Sequence, residues 1–497
     1  MSELFLYNSY TRKKEKFESI TPGYVGLYVC GPTVSGESHL GHARPYITFD
    51  VVTRYLTHLG YKVRYVRNIT DAGHFEEEGR EAVDKVSEKA KLERLEPMEL
   101  VHKYTSLYHN AMRLFNCLEP SIEPTATGHI IEQISMIEDI IAKGYAYEAN
   151  GSVYFDVVKY AEHFPYGELS GRVLEDQLET TRELDNQDEK RNKADFALWK
   201  NAPPEHIMRW KSPWGYGFPG WHIECSAMSS KYLGDEFDIH GGGMDLQFPH
   251  HESEIAQSTI AHGHPPVRFW MHNNMITING KKMGKSYNNV IKFTELFSGN
   301  HPILAQAYHP MVIRFYILQT HYRSTLDFSN EALQASEKGY RRLWEANEIL
   351  SKLDIQAPTQ AADAELEQKV TRLCNECADF MNDDFNTAKV IANLFELAPI
   401  VYSLKGGQIA VNALSADTLS LLKNAFNTYI VDILGLQGMQ VKQDDKIDVV
   451  VHLLMDIRRE AKKRKDFATS DEIRNKLAAS GIILKDEKDG SMSYTLA

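Results

Sequence analysis

His39-Leu40-Gly41-His42 puts two imidazoles into what reads as the first turn of a helix, directly after a strand and a short SGES loop. A helix N-terminus offers unpaired N–H groups and the positive end of the helix dipole, so two more donors there suit a phosphate. Gly41 leaves room for a nucleotide to come close to the backbone. Two solvated histidines on a surface turn would read the same over four residues. Much later, Lys282-Met283-Gly284-Lys285-Ser286 follows the tight turn Asn279-Gly280-Lys281. Lysines beside a glycine suit a loop whose point charges meet a polyphosphate, although a solvated basic loop has the same composition. Between these segments, His240-Gly241-Gly242-Gly243-Met244-Asp245 follows the strand-like Phe237-Asp238-Ile239. Glycines at a strand's carboxyl end let a ligand lie against the backbone, and an acidic residue there suits ribose hydroxyls. A structural turn is the competing reading.

A third group of residues suits a soft metal. Cys30 ends the first strand, Cys225 lies in Trp221-His222-Ile223-Glu224-Cys225, and Pro249-His250-His251-Glu252-Ser253-Glu254 follows. His250 and Glu254 are four apart and share one helix face. Two thiolates, an imidazole and a carboxylate make a zinc donor set. Buried cysteines without metal fit the same spacing, and His251 would serve as well as His250. Cys374-Asn375-Glu376-Cys377 has metal or redox spacing too, but no second pair or histidine cluster adjoins it and the segment reads as helix. Packing is the better account there.

The elements that must position these groups follow from pattern. Residues 24–34 read as a buried strand stopped by Gly31-Pro32, residues 39–58 as an amphipathic helix, and residues 61–67 as the next strand. Strand, helix and strand with short links make a βαβ unit, so the fold class is α/β with a parallel sheet. Residues 120–200, with strand pieces such as SVYFDV and the polar stretch RELDNQDEKRNKAD, read as an insertion in that sheet domain. The α/β pattern resumes at Phe237, with a helix near 249–262 and a strand around 268–278. Helical periodicity dominates residues 330–435, broken by a linker at IQAPTQAAD. A chain of 497 residues calls for two to four domains. With 43% hydrophobic and 25% charged residues it reads as folded. A net charge of −13 excludes a uniformly basic surface but not local nucleic-acid contacts. No apolar run reaches the roughly 18–20 residues that span a bilayer, and the first ten residues lack a signal-peptide pattern. Five scattered cysteines argue for a reducing, cytoplasmic setting over a disulfide framework.

The order of strand, His39-Leu40-Gly41-His42 and a distant Lys282-Met283-Gly284-Lys285-Ser286 resembles the HIGH and KMSKS signatures of class I aminoacyl-tRNA synthetases. Here Leu40 stands for isoleucine and Gly284 for the first serine. Tyr28-Val29-Cys30-Gly31-Pro32-Thr33-Val34, Gly220-Trp221-His222-Ile223-Glu224-Cys225-Ser226-Ala227-Met228 and Phe248-Pro249-His250-His251-Glu252 are similar to the cysteinyl-tRNA synthetase family. That resemblance runs through most of the chain, including Asp195-Phe196-Ala197-Leu198-Trp199-Lys200.

The resemblance implies one zinc ion per subunit on Cys30, Cys225, His250 and Glu254. It implies an amino-acid pocket with Gly31, Thr70 and Trp221, and an adenosine strip over Gly241, Gly242, Gly243 and Asp245. His39, His42, Lys282 and Lys285 are then the catalytic set, acting on ATP with Mg²⁺. The implied partners are L-cysteine, ATP and tRNA(Cys), with no membrane and a monomeric chain. The implied architecture is a Rossmann-like catalytic domain in two halves, 1–120 and 206–275, around a connective insertion at 121–205. A KMSKS-loop region at 276–330, a helical tRNA-binding bundle at 331–440 and an anticodon-binding domain at 441–497 follow. Six of the eight residues 458–465 are basic, which suits phosphate contact. The end Gly490-Ser491-Met492-Ser493-Tyr494 departs from the family's tryptophan-containing terminus, leaving Tyr494 for base stacking or for packing. Two other readings share the catalytic half: an ATP-dependent ligase joining cysteine to an amino-sugar, and a non-catalytic zinc- and nucleotide-binding regulator of RNA.

Overall fold

Two short strand-forming runs, Phe5–Asn8 (β1) and Lys13–Lys16 (β2), make an antiparallel hairpin that opens the computed structural model. The structure describes residues 3–72, 86, 89–90, 95–174, 189–284, 287–353, 363–439, 443–464, 466–480, 482–486 and 492–496. Lys285, Ser286, the first half of the polar insertion stretch RELDNQDEKRNKAD and all of the IQAPTQAAD linker but Asp363 lie outside them.

The β-branched and aromatic run Tyr24–Val29 (β3) is followed by helix Leu40–His58 (α1) and strand Lys62–Arg67 (β4). β3 and β4 pair in parallel, from Tyr24 opposite Lys62 to Val29 opposite Arg67. Helices Pro97–Leu114 (α2) and Ile130–Ala142 (α3) come next. Strands Ala146–Ala149 (β5), Ser152–Phe155 (β6), Phe196–Asn201 (β7), Trp210–Ser212 (β8) and Gly215–Pro219 (β9) form an antiparallel sheet in the order β5-β6-β7-β9-β8, with helix Val157–Ala161 (α4) after β6. This sheet extends past residue 205, because β9 completes the edge of β7, Trp199 opposite Pro219.

Helix Trp221–Leu233 (α5) then leads back to the parallel sheet through Phe237–Gly243 (β10), helix Glu252–His262 (α6) and Val267–Asn273 (β11). The parallel order is β11-β10-β3-β4, so the strand that ends at Cys30 is flanked by the glycine-rich strand. The strand expected at 268–278 is two strands. β11 stays in the parallel sheet, and Ile276–Ile278 (β12) joins another with Lys281–Lys282 (β13) and Leu326–Phe328 (β14). The break falls at Asn274, whose backbone N–H donates to Tyr322 O instead of a sheet neighbour.

Helices Phe293–Ser298 (α7) and Pro310–Leu318 (α8) flank β14's approach. Asn330–Lys352 (α9), Ala364–Asn382 (α10), Thr387–Lys405 (α11) and Ala416–Phe426 (α12) then form the helical region. α11 is long and apolar enough to cross a membrane by length and composition. Val390, Leu394, Leu397 and Val401 are instead fully buried, as in the core of a bundle. Cys374 and Cys377 lie buried on α10, where burial pushes both thiols up to about 12, so neither is a ready metal ligand at neutral pH.

The chain divides into two compact units, Met1–Gln437 and Gly438–Ala497. The second holds Gln443–Lys463 (α13), Phe467–Ala479 (α14) and the hairpin of Ile482–Asp486 (β15) with Met492–Leu496 (β16). Val451, Met455, Leu477 and Leu484 form its core, and Tyr494 packs on them with its ring edge against His452.

Candidate active site and metal centre

Parallel pairing brings Cys30 to the carboxyl end of β3, where its N–H donates to Gly241 O (3.2 Å). α5 carries Cys225 and the turn before α6 carries His250, with Glu254 one turn on. Sγ of Cys30 and Cys225, a ring nitrogen of His250 and a carboxylate oxygen of Glu254 all lie within 4.8 Å of one another. All but Cys30 are at most 1% exposed. A second donor set, Cys30, His240, His251 and Glu254, meets the same limit and shares two members with the first. Nε2 of His250 lies 3.0 Å from Glu254 Oε1 without hydrogen-bond geometry, as two ligands of one ion would. Two sulfurs, one nitrogen and one oxygen at this spacing fit zinc.

The electrostatics fit as well. Burial opposes ionisation of Cys225, yet a hydrogen bond from Cys30 and the nearby His250 bring its thiol down to about 6. Burial would lower His250, but Cys225 and Glu254 raise it to about 10. Burial would raise Glu254, and His240 with His250 hold it at about 2. Cys30 is pushed well up by burial, then by Cys225 and Glu254. Cys225 and Glu254 are thus held as anions beside a protonated His250, a positive charge that a bound cation would replace at the same place. Outer partners fix the ligands: His222 Nδ1 lies 2.9 Å from His250 Nδ1, and His240 Nε2 3.0 Å from Glu254 Oε2. His251 lies 3.3 Å from Cys30 Sγ and 2.8 Å from His272. The Trp221 ring stacks on His250 at 4.3 Å.

Thr70 stands over the turn after Cys30. Its N–H donates to Pro32 O (3.1 Å), and its hydroxyl accepts from Asn68 Nδ2 (3.1 Å). Asn68 Oδ1 accepts the Gly31 N–H (2.8 Å). A Cβ on Gly31 would fall 1.4 Å from Asn68 O, so only glycine fits there. Asn68 did not stand out in the sequence, and His240 did only as the head of the glycine strip, not as a neighbour of the cysteines. A readable signal existed for His240: it directly precedes the glycines, on a strand expected in the same sheet as Cys30.

The glycine strip splits by environment. A Cβ on Gly241 would strike the Phe49 ring at 2.3 Å, and one on Gly242 would meet His251 and Leu246. Those two glycines therefore permit close packing of α1 and of the histidine cluster. Gly243 and Asp245 are the more open pair.

His39 is the N-cap of α1. Its Nδ1 accepts from Gly41 N (3.2 Å), and His42 Nδ1 accepts from His39 N (3.1 Å), a reciprocal capping box. With its Nδ1 lone pair engaged, a neutral His42 ring carries its proton on Nε2. Burial and the neighbouring His39 hold His42 down to about 3, so it stays neutral. The lysine loop meets the same turn. Leu40 N donates to Ile291 O (2.9 Å) and Phe293 N to Ser38 O (3.1 Å). Asn289 folds the loop, accepting from Gly284 N (2.8 Å) and donating to Lys282 O (3.0 Å). Lys282 is exposed on β13, opposite Thr277.

A parallel sheet with a histidine turn and a lysine hairpin converging at one end is the arrangement of a class I tRNA synthetase. Residues 16–338 match the family described as "tRNA synthetases class I (C) catalytic domain". Residues 378–438 match the DALR domain, and 444–491 the "Cysteinyl-tRNA ligase anticodon binding domain". Among solved structures, a Mycobacterium tuberculosis methionyl-tRNA synthetase in complex with methionyl-adenylate has the same fold. Its TM-score is 0.56 at 12% identity, covering 82% of this chain and 89% of that one. An Agrobacterium radiobacter LeuRS in a ternary complex with tRNA and LeuAMS gives 0.59 at 12% identity, covering 84% and 85%. Curated cysteine–tRNA ligases are much nearer in sequence. That of Bacteroides thetaiotaomicron is 59% identical over 491 residues, 98% of each chain, and that of Porphyromonas gingivalis is 56% identical over the same span. That of Chlorobaculum tepidum is 47% identical over 510 aligned positions, 99% of each chain. The chain belongs to the cysteine–tRNA ligase family. The match through the C-terminal segment disfavours both the amino-sugar ligase and the non-catalytic binder.

Proposed function

We propose that this chain activates L-cysteine with ATP to cysteinyl-adenylate and passes the cysteinyl group to the 3′ adenosine of tRNA(Cys), acting as a cytoplasmic monomer. The observation that carries this reading is the buried donor set of Cys30, Cys225, His250 and Glu254 within 4.8 Å. It lies one strand end away from the histidine turn and the lysine hairpin. Zinc bound there supplies a soft Lewis acid that favours a substrate thiolate over a serine hydroxyl. Shape alone separates such near-isosteres by only about 1–3 kcal/mol.

The remaining work belongs to the chain's own groups. Gly31, Thr70 and the partly exposed Trp221 bound the amino-acid pocket. Asp245 takes the ribose hydroxyls, and the backbone of Gly241, Gly242 and Gly243 supports the adenosine. The cysteine carboxylate attacks the α-phosphorus of ATP, the P–O bond to the leaving pyrophosphate breaks, and no protein nucleophile takes part. His39 and His42 donate Nε2–H to the phosphates at the start of α1. Lys282 and Lys285 neutralise charge on the pyrophosphate, with Mg²⁺ accompanying ATP. Cysteine-dependent ATP–pyrophosphate exchange and charging of purified tRNA test the reading. Exchange driven equally by serine, or exchange without tRNA charging, would refute it.

A further inference from the structure

Arg44 lies two residues beyond His42 on α1 and is 1% exposed. Its hydrogen-bond partners among the described residues are three main-chain carbonyls. Nη1 donates to Met275 O at 2.7 Å, and Nη2 donates to His321 O at 3.2 Å and to Ser324 O. Nε is buried without a partner. A buried guanidinium with no carboxylate beside it is a costly choice for filling space, and an apolar side chain of similar volume would avoid the desolvation. Such a side chain could not hold three carbonyls at once.

The three carbonyls share a place in the fold. Met275 immediately precedes β12, and His321 and Ser324 lie five and two residues before Leu326, in the segment that leads into β14. These strands run parallel, Ile276 opposite Leu326, and β12 in turn carries β13 with Thr277 opposite Lys282. One guanidinium therefore holds the roots of both strands that support Lys282. Its own helix begins with the imidazole donors of His39 and His42.

We propose that Arg44 is a positioning residue that sets the separation between the histidine turn and Lys282, and so the fit of the triphosphate between them. It touches no substrate, and the role rests on the adenylate-forming reading above.

The test compares R44K and R44M with the unaltered enzyme in ATP–pyrophosphate exchange, with zinc content measured alongside. We expect R44K to lose at least tenfold in kcat or in ATP affinity, and R44M to lose more. KM for cysteine should stay within twofold and zinc content unchanged. Normal ATP kinetics in either variant, or an equal loss toward cysteine and ATP, overturns the proposal. No exchange in the unaltered enzyme would instead count against the adenylate-forming reading. Hydrogen exchange on the unaltered enzyme decides the matter if the variants do not fold. Amides of residues 40–46, 276–282 and 324–328 should open as one unit, and independent opening of these segments would overturn the tie.

Discussion

Cys225 shows what the fold prepares at the scale of a residue. Its thiol, near 6, is largely ionised at neutral pH because Cys30 and His250 outweigh the cost of burial. Replacing it with serine removes a soft ligand while keeping the shape. C225S and E254Q should each reduce zinc below one equivalent by elemental analysis and raise KM for cysteine on the order of 100-fold, with KM for ATP little changed. His42 makes the opposite case. Burial and the neighbouring His39 keep it neutral down to about pH 3, so exchange activity should show no His42 protonation step between about pH 5 and 8. H42Q, which moves the outward N–H, should lower exchange by about 10²-fold, the scale of losing one oriented donor. A rate that fell through a histidine-like pKa in the unaltered enzyme, and lost that step in H42Q, would show that the ring titrates after all.

Elements are held in register by charges placed where helices and loops meet. Arg314 on α8, 0% exposed, donates to Leu434 O (2.7 Å), to Phe115 O (2.9 Å) and to Asp50 on α1. Arg54, one turn along α1, adds a bond to Asp50 (2.8 Å) and one to Asn116 O (2.8 Å). Removing the acid leaves buried positive charge uncompensated. D50N should therefore cost about 3–5 kcal/mol in denaturant unfolding, a loss that a D50N/R314L double variant should partly recover. At the end of β4, Arg67 lies over the rings of Tyr46, Tyr65 and Tyr108 and pairs with Glu123 at 2.9 Å, while His109 reaches the same carboxylate at 2.5 Å. Burial would raise Glu123, but His109 and Arg67 hold it below the usual carboxylate range. A depressed carboxylate adds stability above its unfolded pKa and loses it as pH falls through the folded one. E123Q should thus cost about 1–3 kcal/mol at pH 7, and the gap to the unaltered protein should close in acid, as chemical denaturation at the two pH values would reveal. These joints explain what the sequence could and could not disclose. The βαβ unit, the helix at 39–58 and a possible grouping of Cys30, Cys225, His250 and Glu254 were legible, because period, spacing and motif are local or shared with a family. The break at Asn274, the bonds of Arg44 and Arg314 and the turn held by Asn68 were not. Each depends on main-chain groups brought from distant segments, which leave no pattern around the residue that binds them. Gly241 was legible as a special position, but the Phe49 ring that fills the space beside it was not.

At the scale of the molecule, the two compact units carry different chemistry. The first holds the candidate metal site and the histidine turn at the start of α1. In the second, Arg458 is buried, while Arg459 and Lys463 on α13 and Arg464 just after it are exposed. Tyr494 is already used in packing, so the exposed cations are the better candidates for tRNA phosphates. Reversing Arg459, Lys463 and Arg464 to glutamate should weaken tRNA binding and flatten its salt dependence by roughly one unit of log–log slope per lost phosphate contact. Amino-acid activation should be untouched, and comparing filter binding with pyrophosphate exchange separates the two effects. Cys30 and Glu254, which share the candidate metal site, are 224 positions apart. A ribosome must therefore release about half of the polypeptide before the full ligand set can exist. On the proposed reading, loading with zinc has to wait for that second half of the chain to begin, and cells starved of zinc should accumulate a folded but empty pool that a later supply of metal can revive.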